Sequence, residues 1–430
     1  MVGSRWEHPR IMIYSQDGLG LGHQRRTSAV AAECGRRRPG SSVLVLADSP
    51  LGAPFGSMPG YDYLKLPSIR KVRPGTWEPV SLPIPFAEVA TLRRSLIREA
   101  IGGFAPDVLL VDHMPHGAMG ELTDSLEVLR RVRPGAQIVL GLRDIVDDPT
   151  VVRRIWDEEG AYDALARFYD QVLVYGERRL FDAAKAYGFS PAISLRTRHC
   201  GYVCTPERAR YTARVRARYG VPGLPLIVAM VGGGADAYPV LRGLVDALPT
   251  VQAQCPAAVI LVTGPFMPLE SRRDLEARAA TCGATVKVSV SDSLSYIEAA
   301  DLVVVMAGYN TSVEILRVGT PALVIPRVGP SAEQRMRTAR FVAEGWVNAL
   351  DPFQLDPETV AEAVLRSLTT ARVAPTTPPD LGGLDAACDD LLALLDSPAL
   401  APSGNGVAPG RVDSVQAQIP SPCWGPRTGM

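Results

Sequence analysis

Short apolar runs alternate with helical patterns along most of this chain, and the alternation starts twice. Residues Arg10 to Ser15 read as a first strand, Gln16 to Gly22 as a glycine-rich turn, and His23 to about Cys34 as a helix. Strands follow at Val43 to Ala47, Val108 to Val111, Ile138 to Leu142 and Gln171 to Val174, with a basic helix over Glu88 to Phe104 between the second and third. Near Leu226 the pattern begins again. A strand to Val231 runs into Gly232-Gly233-Gly234, a helix starts near Tyr238, and strands recur at Ala258 to Val262, Val286 to Val290, Leu302 to Met306 and Ala322 to Ile325. Strands that alternate with helices build parallel βαβ units. Leu51 to Pro85, rich in Pro and Gly, reads as an irregular surface excursion.

The 430 residues suit two such units. The predicted division is a first domain over 1–205, a second over 206–371, a linker with a last helix over 372–396, and a disordered Pro/Gly/Ser-rich tail over 397–430. With 45 basic and 45 acidic residues the formal charge is zero, which argues against a nucleic-acid binder. The seven cysteines are scattered and odd in number, and only Cys200 and Cys204 are close, so they read as reduced thiols of a cytoplasmic protein and not as zinc ligands. No apolar run has the length of a membrane span, and Met1 to Arg10 lacks the apolar core of a signal peptide.

The densest motif is Met306-Ala-Gly-Tyr-Asn-Thr-Ser-Val-Glu314. A buried strand ends in a small-residue turn at Ala307-Gly308, and a helix opens at Asn310 or Thr311. The unpaired N–H groups and positive dipole end of such a helix suit a phosphate. Glu314, one turn further, is placed to accept hydrogen bonds from both hydroxyls of a ribose. The plain alternative is that Thr311 and Glu314 form an S/T-x-x-E capping box. After the next strand, Glu333 and Gln334 lie on the loop beyond Pro326. Gly232-Gly233-Gly234 is either an ordinary strand-to-helix turn or a second cradle of N–H groups for an anion. Thr263-Gly264-Pro265 closes another strand and borders the same edge.

In the first half, Gly18-Leu-Gly20-Leu-Gly22-His23-Gln-Arg25-Arg26 is not a dinucleotide fingerprint, since His stands at position 23. A histidine at a helix start has its charged form disfavoured by the dipole, as a general base at neutral pH requires. Arg25 and Arg26 read as solvated helix residues. Asp112 and His113 stand at the carboxyl end of a strand, where ligands bind in open α/β sheets, and are second candidates for the base or for acceptor binding. Arg143-Asp144 occupies a similar edge and reads equally as a structural ion pair. His113 and His116 lack further ligands at metal-binding spacing.

The series G-Y-N-T-x-x-E-I-L at 308–316, G-T-P-A-L-V-I-P-R at 319–327 and E-Q at 333–334 resembles the donor-binding signature of GT-B glycosyltransferases, of the family-28 type. The resemblance covers roughly residues 10 to 350 and is stronger in the carboxyl half. It implies two Rossmann-like doubly wound domains facing an interdomain cleft, with a nucleoside diphosphate sugar on the carboxyl half and an acceptor on the amino half. It implies that Gly308, Asn310 and Thr311, with Gly232, Gly233 and Gly234, face the diphosphate, and that Tyr309 belongs to the same donor site. Glu314 would hold the ribose, Gly264 and Val288 would border the base, and Glu333 and Gln334 would meet the sugar. Gly20, Gly22, His113 and Arg143 would line the acceptor side. Transfer would be inverting and metal-independent, with His23 as base before Asp112, no cofactor, and uridine as the nucleoside. The acceptor is a small molecule, lipid or glycan, and peripheral membrane contact is compatible with this. A nucleotide-sugar 2-epimerase of the same fold, or a non-catalytic nucleotide-sugar-binding subunit, are the competing readings.

Overall fold

The computed structural model describes residues 8–16, 22–49, 59–73, 76–205, 207–369 and 377–396. Gly20, most of the first glycine-rich turn, part of the linker and the whole of the 397–430 tail lie outside them.

The amino-terminal half is a seven-stranded parallel sheet made by β1 (Arg10–Ser15), β2 (Ser42–Ala47), β3 (Tyr61–Lys65), β6 (Val108–Asp112), β7 (Gln137–Arg143), β8 (Gln171–Tyr175) and β9 (Thr197–His199). A separate antiparallel hairpin, β4 (Ile69–Arg73) and β5 (Thr76–Pro79), stands beside it. The helices of this half are α1 (Gly22–Arg37), α2 (Phe86–Phe104), α3 (Thr123–Val132), α4 (Pro149–Glu158), α5 (Ala161–Phe168), α6 (Ala183–Ala186) and α7 (Pro191–Leu195). The central strands β6, β7 and β8 are buried almost throughout, as expected of a parallel sheet covered on both faces. The strand order is β3-β2-β1-β6-β7-β8-β9, so the winding reverses between β1 and β6.

The second half repeats the plan with β10 (Leu226–Met230), β11 (Ala258–Val262), β12 (Thr285–Lys287), β13 (Leu302–Val305), β14 (Ala322–Val324) and β15 (Asn348–Ala349), in the order β12-β11-β10-β13-β14-β15. Its helices are α8 (Thr212–Tyr219), α9 (Tyr238–Gln254), α10 (Leu269–Thr281), α11 (Ser293–Ala299), α12 (Tyr309–Val318), α13 (Glu333–Ala343) and α14 (Pro357–Thr369). Here the winding reverses between β10 and β13. The last helix, α15 (Gly383–Asp396), leaves this half and packs on α1. Ala387, Cys388, Leu391 and Leu395 join the core of the first sheet, and Cys388 Sγ lies 3.5 Å from Cys34 Sγ.

Several sequence expectations need correction. The Leu51–Pro85 stretch is not wholly irregular: among its described residues it supplies β3, β4 and β5. The strand expected over Val286–Val290 stops at Lys287, which leaves Val288 beyond its end. Glu333 and Gln334 are not on a loop but open α13. Helix α12 starts at Tyr309 with Gly308 as its N-cap and no side-chain cap, so Thr311 and Glu314 form no capping box. Arg143 and Asp144 do not pair with each other; each reaches into the second half.

That second-half partner of Asp144 is Arg337, on α13. Its Nε and Nη2 lie 2.8 and 2.6 Å from the two carboxylate oxygens, and its Nη1 donates to Ala307 O at 2.7 Å. Arg337 is 1% exposed. Burial opposes its charge, but Asp144 outweighs this and its pKa lies above the usual arginine value. Around it, Tyr309 OH donates to Tyr175 O and accepts from Val203 N, both at 2.9 Å, and Ala332 N donates to Asp147 Oδ1 at 2.7 Å. Removing one member of such a buried pair strands the other charge. Arg337→Met is therefore expected to cost about 3–5 kcal/mol in chemical denaturation, and the double variant Asp144→Ala/Arg337→Met to cost less than the sum of the two single changes.

Candidate active site

Both reversals of winding carry the motifs singled out in the sequence. Ligands bind in open α/β sheets at such points, outside the carboxyl ends of the strands. In the first half the start of α1, after β1, supplies Gly22 and His23, and the end of β6 supplies Asp112 and, just beyond it, His113. In the second half the loops after β10 and β13 supply Gly232–Gly234 and Gly308–Thr311.

His23 is the second residue of α1. Its Nδ1 contacts Asp112 Oδ2 at hydrogen-bond range, and Asp112 Oδ1 accepts from Arg26 Nη2 at 2.8 Å. Asp112 is 1% exposed. Burial favours its neutral form, but the Arg26 charge and the hydrogen bonds from His23 and Arg26 outweigh that and hold its carboxyl well below the usual carboxylate range. An ionised carboxylate only accepts hydrogen bonds, so the Nδ1 facing it carries a proton and Nε2 is the basic nitrogen of the ring. His23 and Asp112, two separate candidates in the sequence, thus form one dyad. Arg26 is not a solvated helix residue: it is 3% exposed and packs over the Tyr175 and Tyr309 rings at 5.3 and 5.2 Å.

His113 stands beside the dyad, its ring centroid 5.1 Å from that of His23. Burial, reinforced by the Arg143 charge, pushes its pKa well below the ordinary histidine value, so it is neutral. Its φ of 70° is unusual for a residue with a side chain, as is the 55° of Met119 on the same loop. That loop is held by a buried network. Arg93 makes a two-pronged contact with Glu121 at 2.6 and 2.8 Å, and Tyr14 OH donates to Glu121 and accepts from Ala118 N. Strained backbone of this kind persists where the surroundings over-determine it. Beyond the loop lies a cavity of about 410 Å³ bordered by His116, Thr123, Glu159, Asp163 and Phe168.

In the second half, the Gly232–Gly234 turn packs backbone to backbone against Gly264. A Cβ on Gly234 would stand 1.9 Å from Thr263 O, and one on Gly264 2.5 Å from Gly232 O. These two glycines are required by close approach. Gly264 N donates to Val288 O at 2.9 Å, which brings Val288 to the same rim. Gly308, by contrast, faces open space, and the α12 start it caps has no side-chain acceptor. Asn310 Nδ2 reaches across to Gly22 O at 3.2 Å, so the starts of α1 and α12 face each other across the seam.

The two carboxylates expected to meet sugar hydroxyls are occupied by arginines. Glu314 is paired with Arg25 of α1 and accepts from Ser293 Oγ at 3.2 Å. Burial raises its pKa, with Arg25 acting against the rise. Glu333 lies 2.5 Å from Arg143 Nη1 and 3.1 Å from Arg327 Nη2, and Gln334 Oε1 accepts from Arg327 N at 3.0 Å. Arg143 therefore faces the second half. The sequence reading missed Arg25, Arg26, Arg327 and Arg337. One signal was available: two consecutive cations in the first turn of a helix sit at the wrong end of its dipole and need anionic partners.

Residues 227–378 match the glycosyltransferase family 28 C-terminal domain. The UDP-N-acetylglucosamine--N-acetylmuramyl-(pentapeptide) pyrophosphoryl-undecaprenol N-acetylglucosamine transferase of Acidothermus cellulolyticus is 30% identical over 174 residues, 40% of this chain and 47% of its own. The enzyme of that name from Mycobacterium tuberculosis is 33% identical over 174 residues, 40% of this chain and 41% of its own. The chain thus spans less than half the length of these curated relatives. Similar solved structures include the calicheamicin glycosyltransferase CalG4 (TM-score 0.58, 17% identity, 91% of this chain and 99% of the other) and MurG of Acinetobacter baumannii (0.56, 14%, 90% and 99%). The UDP-GlcNAc 2-epimerase of Methanocaldococcus jannaschii is similar to the same degree (0.58, 11%, 89% and 99%). Residues 227–378 of this chain are accordingly similar to the glycosyltransferase family 28 C-terminal domain, and the chain has a GT-B fold.

Proposed function

We propose that the chain is a glycosyltransferase that moves a sugar from a UDP-sugar to an acceptor hydroxyl, with inversion and without a metal. The observation that carries this reading is the His23–Asp112 dyad set directly across the seam from the uncapped start of α12. Residues 1–205 form the acceptor half and 206–371 the donor half of this reading.

In the proposed reaction the diphosphate lies between the Gly232–Gly234 turn and the Gly308–Thr311 start of α12. Backbone N–H groups and the positive dipole end favour the charge that develops there as the sugar leaves. Glu314 accepts from the ribose, Glu333 and Gln334 from the transferred sugar, and the Gly264–Val288 rim borders the uracil. His23 Nε2 takes the acceptor proton as the hydroxyl oxygen attacks the anomeric carbon. Asp112 keeps the ring oriented and stabilises the imidazolium that results, while Arg26 keeps Asp112 ionised. Gly22, His113 and the loop behind it form the acceptor side. A helix-end cradle with nearby arginines supplies the positive charge that a metal would otherwise provide, so activity in this reading is insensitive to chelators.

A lipid-linked acceptor is supported by one surface feature. Val72 on the hairpin, Leu82 and Ile84 on the segment between β5 and α2, and Leu92 on α2 are exposed, in a stretch that also exposes Arg70, Lys71, Arg94 and Arg98 together with Glu78 and Glu88. Apolar side chains interspersed with cations suit the surface of an anionic bilayer. No described helix is long and apolar enough to cross one. We place the enzyme in the cytoplasm, in peripheral contact with that surface.

The fold is shared with 2-epimerases, so the assay that tests the reading is release of UDP from UDP-sugars with and without added acceptors. Release that depends on an acceptor is expected. Conversion of the UDP-sugar to its epimer without any acceptor, followed by NMR because an isomerisation releases no UDP, would instead mark the epimerase, and binding with neither reaction a non-catalytic subunit. His23→Ala is expected to lower kcat by about 10²–10⁴-fold with little change in donor KM, measured by steady-state kinetics. A comparable rise in KM would speak against its role as base. Glu314→Ala is expected to weaken donor binding by about 10–100-fold, the scale of hydrogen bonds to a charged group, as read by calorimetry.

A further inference from the structure

Arg25 stands in the first turn of α1, near the positive end of that helix's dipole, where a cation is disfavoured. Its ion pair with Glu314 offsets the penalty. The pair is lopsided: the Glu314 side chain is 6% exposed and that of Arg25 34%. Burial already presses Glu314 toward its neutral form. The carboxylate therefore holds Arg25 only while nothing else takes its oxygens.

The geometry around the pair is tight. Asn310 and Glu314 are four residues apart on one face of α12. Asn310 reaches Gly22 O, and Glu314 reaches Arg25, three residues along α1 from Gly22. Glu314 thus lies about one helical turn, roughly 5 Å, from the gap between Gly22 and Gly308. A side chain as long as arginine can cover that distance by rotation about its own bonds.

We propose that Arg25 is a donor-triggered diphosphate ligand. It rests on Glu314 while the cleft is empty. When the pentose hydroxyls of a nucleoside diphosphate take that carboxylate, the guanidinium swings to the diphosphate at the start of α12. This rests on the donor reading above and extends it to a residue outside the family-28-like signature. The physical reason is a change of partners. Hydroxyls that donate to Glu314 bring no charge to replace Arg25, which would then be left at the positive ends of two helices. The diphosphate is the anion that relieves it, and a guanidinium can bind phosphate oxygens through two parallel hydrogen bonds.

The consequence has opposite signs for two ligands. A nucleoside must displace Arg25 and gives it nothing, so Arg25 opposes its binding. A nucleoside diphosphate displaces Arg25 and rebinds it, so Arg25 favours its binding. An ion pair that only ties the two halves together cannot produce that inversion.

The test is calorimetric titration of the full chain with uridine and with UDP, for the wild type, Arg25→Gln and Arg25→Lys. Arg25→Gln is expected to bind uridine several-fold more tightly and UDP about tenfold more weakly, since it loses a charged two-pronged contact. Arg25→Lys, which keeps the charge but not the planar fork, is expected to fall between on UDP. If Arg25→Gln shifts both ligands by the same factor, the proposal is overturned. Should Arg25→Gln fail to fold, an unchanged ratio of UDP to uridine affinity in Arg25→Lys overturns it equally. Wild-type protein that binds neither ligand overturns the donor reading itself, an outcome read from a different sample.

Discussion

The seam between the two sheets depends on Arg337. Its guanidinium joins Asp144, at the carboxyl end of β7, to the carbonyl of Ala307, immediately before the start of α12. Those contacts fix where the α12 start points. Tyr309, the first residue of that helix, is fastened to Tyr175 and Val203 by the same seam and receives Arg337 and Arg26 over its ring at 5.7 and 5.2 Å. With Tyr309 held, Asn310 meets Gly22 and the starts of α1 and α12 confront each other. A buried ion pair is weak evidence for stability by itself. Here its effect is positional, since it sets the register in which two reversals of winding share one gap.

That register has an electrostatic cost. Two positive helix ends face each other, and Arg25, Arg143 and Arg327 stand nearby. Glu314 and Glu333 compensate, each by taking an arginine from the opposite half. The same two carboxylates are those assigned to sugar hydroxyls. Hydroxyl groups carry no charge, so a neutral sugar placed on them would leave the arginines and helix ends uncompensated. A diphosphate restores the balance. The charges around the site therefore already contain a reason to prefer a charged donor over a free sugar.

Much of the plan was legible in the sequence because buried parallel strands are near-continuous apolar runs with sharp ends. The central strands of both sheets follow from that pattern. The misread parts are those where burial is weak or very short. Strand β3 is an edge strand of partly exposed residues, β4 and β5 form a charged hairpin, and β9 and β15 span three and two residues. None of these carries an apolar run long enough to stand out. The S/T-x-x-E spacing at Thr311, which offered the alternative reading, fails for a different reason. A capping box is a local contest, and Glu314 is claimed by Arg25 from the other half, a partner no local rule can supply. The same holds for Arg26, whose surface reading followed from composition while its burial follows from Asp112 and two tyrosines.

The dyad shows why the two halves must be considered together. Burial alone would push Asp112 toward its neutral form, and a neutral carboxyl could not orient His23 as an acceptor. Arg26 prevents this, yet a buried arginine is itself tolerated only with its own support. The carboxylate supplies part of it, and the faces of Tyr175 and Tyr309 supply more, one ring from each half of the chain. Tyr309 thus links the two chemistries: its backbone opens the proposed diphosphate cradle, and its ring steadies the cation that keeps the base correctly oriented. Separating the halves would remove a wall from each site at once. In this fold the cleft is not a space left between two finished domains; each half completes the electrostatics of the other.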